Sequence, residues 1–309
     1  MKEFIALAVG LMLLVSAAAA TGNKNDINAE VYVEAMDNCV TGDVALAQVT
    51  VTDASLFGND NQADQYMDLS ANCNSITDMF VSEGVDSMFS QVGMQEADIT
   101  GSTNDVCQDI MLNANDNCLT SSDLTQGALQ DANAFGCDNN IIQSTWAWTE
   151  ENSATLSDLI QLSDLDADAN GSGNDICQEV DQDIWKNSLT ASTISQQAAL
   201  DAALLGCDNE AQQDANQEAY KNSLTLSSLL QSICQETDIT GNENKVKQFG
   251  DTLARDNCLT NATVAQAITE TATSFGNDNL VKHNVVLNVK DNAMTGGTLL
   301  QNSTIRSNE

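Results

Sequence analysis

The stretch Gly171-Ser-Gly-Asn174-Asp-Ile176-Cys-Gln178 decides the fold, because close copies of it recur along the chain. Asn follows the glycine by three residues, an apolar residue by five and Gln by seven. Glycine fills the first position of this pattern at Gly22, Gly58, Gly101, Gly136, Gly171, Gly206, Gly241 and Gly276. From Gly101 onward the spacing is 35 residues, which predicts eight repeats that begin near residues 22, 58, 101, 136, 171, 206, 241 and 276.

Other positions of the repeat are equally regular. In the unit that begins at Gly171, Asn187, Thr190 and Gln196 have counterparts in all the other units. The second unit is longer than the rest, and we expect an insertion of about eight residues in 81–90.

The side-chain periodicity within a unit is that of β-strands. In the first unit Ile27, Val31 and Val33 share one parity, and period two is typical of strands rather than of the helices in helical repeat proteins. Proline is absent, as expected where long ladders need every backbone N–H. We therefore predict an all-β protein, a β-arch solenoid with two sheets and two strands of roughly ten residues in each unit. One unit per rung is favoured over half a unit.

Stacked units would place each Asn or Gln that recurs in the repeat over its counterpart in the next rung. Side-chain amides can then hydrogen-bond along the axis as ladders, with rungs about 4.8 Å apart. Representative ladder residues are Asn139, Asn174, Asn209, Gln161, Gln196 and Gln231. Glycine and Asn are expected to supply the positive φ angles at the corners.

Composition limits the partners of the chain. The 309 residues include 10 Lys and Arg against 45 Asp and Glu, a formal charge of -35, which argues against binding nucleic acid. Cations, Ca²⁺ among them, are the expected counterions, and no other cofactor is expected. Disorder is rejected because 42% of the residues are apolar and recur at regular positions.

The N-terminus predicts export. Lys2, an apolar run over 4–15 and the alanines that end at Ala20 form a typical signal peptide, residues 1–20. The apolar run is too short to span a bilayer as a membrane anchor. We therefore expect residues 21–309 to be secreted as one solenoid domain without membrane insertion.

Nine cysteines in an exported chain predict disulfides, with free thiols as the alternative. The candidate pairs within the chain are Cys107–Cys137 and Cys177–Cys207. Candidates for bonds between subunits are Cys39, Cys118 and Cys258, which occupy one position of the repeat.

Sites for chemistry are few. Asp166, Asp168 and Asn170 match the start of a calcium-binding loop, although Cys177 stands where the bidentate Glu is expected. An acidic turn between repeats is the alternative, and diffuse cation binding along acidic ladders is a third reading. The single histidine, His283, occupies a Gln position, so we expect a ladder substitute and no catalytic site.

The G-x-x-N-x-[A/I/V]-x-Q string resembles the curlin-type repeats of functional amyloids, and residues 58–65, GNDNQADQ, are the nearest copy. The unit is longer than a curlin unit, Gln follows the apolar residue sooner, and curlin chains lack this density of cysteine. A signal peptide, acidity, cysteines and solenoid repeats together look like the sheath proteins of methanogenic archaea, which form stacked hoops around cells. This resemblance implies a structural protein.

The sequence thus predicts a self-assembling extracellular structural protein that forms an amyloid-like cell sheath, hoop, tube or fibre. Its partner would be itself, through addition at strand edges and through lateral packing, for which Trp146 and Trp148 would project outward. One alternative is a surface adhesin or glycan-binding module, and another is a secreted enzyme that acts on polysaccharide. We expect no enzymatic activity.

Overall fold

The computed structural model describes residues 8–41, 44–77 and 87–308, and almost all of these residues lie in β-strands. The strands are β1 (Ala8–Thr21), β2 (Asp26–Met36), β3 (Cys39–Thr41), β4 (Val44–Phe57), β5 (Gln62–Asn72), β6 (Ser75–Thr77), β7 (Ser87–Thr100), β8 (Asp105–Asn115), β9 (Cys118–Thr120), β10 (Ser122–Cys137), β11 (Asn140–Glu150), β12 (Ser153–Thr155), β13 (Leu159–Ser172), β14 (Asp175–Trp185), β15 (Ser188–Thr190), β16 (Thr193–Cys207), β17 (Glu210–Tyr220), β18 (Ser223–Thr225), β19 (Ser228–Thr240), β20 (Lys245–Arg255), β21 (Cys258–Phe275), β22 (Leu280–Lys290) and β23 (Ala293–Asn308).

The strands form two parallel sheets that stack as a β-solenoid. The eight-stranded sheet has the order β2-β5-β8-β11-β14-β17-β20-β22, and a fifteen-stranded sheet contains the others. Ile141 pairs with Ile176, and Ile176 pairs with Ala211, so neighbouring strands are one repeat apart. The predicted β-arch solenoid is confirmed, with one 35-residue unit in each rung rather than half a unit.

Each of the first six rungs contains one more strand than we predicted, whereas in the last two rungs the short segment is continuous with the long strand. In the third unit β8 has 11 residues, β9 has three and β10 has 16. Asp116 and Ser121 adopt left-handed φ angles of 56° and 53° on either side of β9. These two corners turn the chain twice, so that the short strand closes one end of the arch.

The core lies between the two sheets, where inward side chains alternate between apolar residues and glutamine. On β14, Ile176, Val180 and Ile184 are at most 2% exposed, and the Gln residues between them are equally buried. Burial of each large apolar side chain stabilises the fold by about 1.5–3 kcal/mol. The core therefore forms only when both sheets of the arch are in place.

Glycine forms the corner at the other end of each rung. Gly206 has φ +135°, and a Cβ there would collide with the carbonyl oxygen of Gly171 in the rung below. Among the described residues, Asn supplies a positive φ at Asn261 (φ 50°) and not at the ladder asparagines. The left-handed residue precedes the Asn, as at Asp138 (φ 56°), because the Asn itself is held in extended geometry by its ladder.

The register locates the insertion of the second unit. Thr77 pairs with Thr120 at a separation of 43 residues, whereas Ser87 pairs with Ser122 at 35. The eight extra residues therefore lie between Thr77 and Ser87, an interval that overlaps the predicted range 81–90 but begins earlier. Residues 78–86 themselves are outside the described part of the chain.

The segment predicted as a signal peptide is described from Ala8 onward, as strand β1. It pairs in parallel with β4 from Ala8–Val44 to Thr21–Phe57. Signal cleavage near Ala20 stays a prediction. Among the described residues there is no helix with the length and apolarity that crossing a bilayer requires.

Candidate assembly surfaces

The predicted asparagine ladder is present and points in one direction. The backbone N–H and Nδ2 of Asn139 both donate to Oδ1 of Asn174, each at 3.1 Å. Asn174 donates in the same way to Asn209, at 2.9 and 3.2 Å. Each Asn therefore donates toward the C-terminal end of the solenoid and accepts from the N-terminal side.

The glutamine ladder points the opposite way. Nε2 of Gln196 donates to Oε1 of Gln161 at 3.1 Å, and Nε2 of Gln231 donates to Oε1 of Gln196 at 2.9 Å. All three side chains are at most 1% exposed. Each Gln therefore donates toward the N-terminal end, and the buried amides are paired along the axis.

A third ladder, of serines, was missed from the sequence. The backbone N–H of Ser122 donates to Oγ of Ser157, and that of Ser157 to Oγ of Ser192. These residues lie at the start of the long strand or just before it, at the second corner of the rung. The recurrence of Ser at one position of four successive units was the signal that could have revealed it.

The ladders leave complementary groups at the two ends of the solenoid. At the N-terminal end, Oδ1 of Asn25 and Asn38 accepts no hydrogen bond from any described residue, although both residues donate. At the C-terminal end, the backbone N–H of Asn279 and Asn292 finds no acceptor among the described residues, although their Oδ1 atoms accept. One end therefore offers acceptors and the other offers donors.

Charge is also distributed unevenly between the ends. The first unit contains Asp26, Glu30 and Glu34 on the outward side of β2 or at its start. The last two units contain six of the ten basic residues of the chain, namely Lys245, Lys247, Arg255, Lys282, Lys290 and Arg306. The C-terminal end is therefore the less acidic one.

The C-terminal rung exposes apolar side chains that are buried elsewhere. Leu299 is 44% exposed and Ile305 is 52% exposed, whereas Val264, the partner of Leu299 one rung earlier, is buried. No further strand covers the outer edges of β22 and β23 within the described residues. This surface is an open sheet edge whose apolar side chains are exposed.

Residues 166–170 form part of a strand rather than a loop, and calcium binding by them stays a prediction. Asp166, Asp168 and Asn170 lie on the outward face of strand β13, where alternate residues extend along a line instead of converging on one point. The described residues contain no group of three or more His, Cys, Asp or Glu with a geometry that could hold a metal ion. The D-x-D-x-N pattern arose from strand alternation.

Asp166 instead belongs to a column of carboxylates that crosses the rungs. The paired residues, from one rung to the next, are Asp53, Glu96, Asp131, Asp166, Asp201 and Glu236. Partial burial, and then the charges of Asp168, Asp201 and Asp131, raise the pKa of Asp166 to about 6. The column continues through Thr271 to Arg306, where its charge is reversed.

The cysteines are free thiols. None of the nine forms a disulfide in the structure, so the predicted bonds Cys107–Cys137 and Cys177–Cys207 are not formed there. Burial, with Asp109 and Asp64 nearby, raises the pKa of the Cys107 thiol to about 12. The candidates for bonds between subunits, Cys39, Cys118 and Cys258, are all exposed on the short-strand side of the rungs.

Outward-facing aromatic side chains line a groove of about 420 Å³ on the eight-stranded sheet. Trp148 is 42% exposed, as predicted, and Trp146 is half-buried beside it. Trp185 stacks on Tyr220 with ring centroids 6.1 Å apart, and Arg255 covers the Tyr220 ring at 4.2 Å. These ring faces are therefore already in contact with protein groups.

His283 occupies the ladder position that we predicted for it. It pairs with Gln248 in the register, and its Nδ1 lies 3.2 Å from Oε2 of Glu270. Glu270 is fully buried beside Gln235, and burial raises its pKa to about 7. The sequence analysis missed this buried carboxylate, whose counterpart one rung earlier is Gln235.

No protein-family model, curated protein or solved structure matches this chain.

Proposed function

We propose that this chain is a self-assembling extracellular structural protein that polymerises end to end. The observation that carries the proposal is the complementarity of the solenoid ends. Asn25 and Asn38 offer side-chain acceptors at one end, and Asn279 and Asn292 offer backbone donors at the other. A second copy placed on the axis would continue every ladder in the same direction.

The eight-stranded sheet also matches across such a junction. Continued in register, β22 of one copy lies beside β2 of the next, with Val281 level with Ile27 and Val285 level with Val31. Ile27 and Val281 pack against the same inner cluster, whereas Val31 and Val285 contribute to two separate inner clusters. Outward-facing Lys282 and Lys290 would lie diagonally across from Glu30 and Glu34, a favourable arrangement between neighbouring strands.

Lateral association is a second part of the proposal. The exposed thiols of Cys39, Cys118 and Cys258 form one row on the surface, and each is separated from the next by at least one serine. Cys39 and Cys118 are two rungs apart, about 9.6 Å, which is too far for a disulfide within the chain. Bonds from this row would therefore join neighbouring polymers into a sheath, hoop or fibre bundle.

Export and a cell-surface location complete the proposal, and they rest on the N-terminal sequence. Counterions would accompany the polymer, because the acidic column would otherwise repeat its charge along the whole assembly.

Negative-stain electron microscopy and sedimentation of the purified chain test the proposal. We expect tubes, hoops or fibres whose X-ray diffraction shows a rung spacing of about 4.8 Å along the axis. A chain that stays monomeric at all concentrations, with or without Ca²⁺, would contradict it. Saturable binding of glycans by such a monomer would support the adhesin instead.

A further inference from the structure

Strand β1 covers one edge of the fifteen-stranded sheet. It lies beside β4 along its whole length, with Ala17 level with Asp53 and Ala20 level with Leu56. Ala20 packs against the inner cluster that contains Ala54 and Leu56. Within the described part of the chain, the eight-stranded sheet has no equivalent cover, because β2 is its first strand. The N-terminal end of the solenoid is therefore stepped.

The step matters for a second copy. A complete rung consists of a strand in each sheet, so β22 and β23 of an incoming copy must lie beside β2 and β4 together. With β1 in place, the edge of β4 is occupied, and only β2 and the short strand β3 are accessible. Docking then loses the pairing along β4, which has 14 residues against 11 in β2.

The register shows how well β23 fits the place of β1. Continued by one rung, Gln301 falls level with Gln48, because each occupies the glutamine column of its own unit. Nε2 of Gln301 donates to Gln266, and its Oε1 accepts nothing from the described residues. Nε2 of Gln48 donates only to the Ser70 carbonyl there. Met12, the residue of β1 at this level, has no amide to continue the ladder.

Charge points to the same register. Arg306 is five residues beyond Gln301, and Asp53 is five beyond Gln48, so the two would lie directly opposite each other. Asp53 is the first carboxylate of the acidic column, and β1 places only Ala17 beside it. Arg306, the basic residue at the C-terminal end of that column, would thus lie beside Asp53 of the next copy.

We propose that the edge of β4 is the docking site for β23 of a second copy, and that β1 is a removable cover of this site. The inference rests on the proposed end-to-end assembly and specifies its register and its control. A chain that retains β1 assembles poorly, and loss or displacement of β1 opens the edge. Removal of a signal peptide would have this effect.

The first experiment uses the uncleaved full-length chain, produced without export. Ala20→Glu places a charge against the inner cluster and should displace β1, whereas Ala19→Glu, on the exposed face of the same strand, is the matched control. We expect Ala20→Glu to lower the critical concentration for assembly at least about ten-fold relative to the parent chain and to Ala19→Glu. Equal critical concentrations for the three chains would overturn the inference, and circular dichroism verifies that each is folded.

The second experiment tests the register in the Ala20→Glu background. Arg306→Asp and Asp53→Arg should each raise the critical concentration, and the double variant should restore it. Asp201→Arg, in the same column but inside the solenoid, is the control and should leave assembly unchanged. Failure of the double variant to recover would rule out this register.

The two proposals fail in different ways. If no chain forms polymers under any condition, end-to-end assembly itself is wrong. If polymers form but respond neither to Ala20→Glu nor to the charge exchange, the proposal of end-to-end assembly is retained. The proposal that β1 covers a docking site on β4 is then rejected.

Discussion

The side-chain amide of Gln196 donates to Oε1 of Gln161, 3.1 Å away and 35 residues earlier in the chain. Gln196 also donates to the Gln182 carbonyl in the opposite sheet and accepts from Gln231. One buried side chain thus joins three rungs along the axis and both sheets across it.

Gln196→Leu should therefore destabilise the fold. The change leaves Oε1 of Gln161 without a donor, and an unsatisfied buried polar group costs about 1–3 kcal/mol. The amide of Gln231 loses one acceptor and keeps the carbonyls of Gln217 and Leu253. Urea unfolding of both variants measures the effect. Gln301→Leu, at the exposed end of the same ladder, is the control, and we expect less than about 0.5 kcal/mol from it in the unassembled chain. Equal losses at the two positions would contradict the ladder's role in stability.

Gly206→Ala should be among the most damaging single-methyl changes. The new Cβ would collide with the Gly171 carbonyl oxygen, and the φ of +135° is unfavourable for any residue with a side chain. We expect a loss of more than about 3 kcal/mol, or failure to fold. Gly127→Ala is the control, because its Cβ meets its nearest neighbour at 3.7 Å and its φ is not positive. Thermal unfolding of the two variants should separate them clearly.

Stability should fall as the pH rises from about 5 to about 8. Burial raises the folded-state pKa of Asp166 and Asp183 to about 6 and that of Glu270 to about 7. The folded state therefore binds more protons than the unfolded state in this range, and the stability associated with them is lost as the pH passes the folded pKa values. Calorimetry should show a higher Tm at about pH 5. A Tm that rises toward pH 8 would contradict this assignment.

Glu270→Gln should remove part of that pH dependence. Gln at this position would lie level with Gln235 of the neighbouring rung and would carry no buried charge. We expect a gain of about 1–3 kcal/mol near pH 8 and little change near pH 5. Glu179→Gln, on the exposed face of β14, serves as the control and should have a much smaller effect. Unfolding curves at the two pH values provide the comparison.

The cysteines should differ in reactivity toward iodoacetamide near pH 8. The pKa of the Cys107 thiol is raised to about 12 by burial and by its acidic neighbours, so little thiolate is available there. Cys118 is exposed at the start of β9. Mass spectrometry should show Cys118 labelled at least about ten-fold faster, with the difference lost in denaturant. Rapid modification of Cys107 in the folded chain would be inconsistent with its described environment.

The sequence by itself determined the rung, the register and the ladders. In a parallel solenoid, the neighbour of each residue along the axis is its counterpart one unit away. The repeat spacing therefore identifies which residues are in contact between rungs. Asn174 over Asn139 and Gln196 over Gln161 could be predicted for this reason. The same logic placed His283 in a glutamine column.

Only the tertiary structure decided how each rung folds across the axis. The short strand β9, the left-handed Asp138 and the pairing of Glu270 with His283 depend on two sheets meeting face to face, and spacing along the chain does not encode that contact. The D-x-D-x-N pattern at Asp166 shows the limit most clearly. Alternation on an exposed strand and a metal-binding loop share the same letters, and only the backbone path distinguishes whether the carboxylates extend along a line or converge on a point.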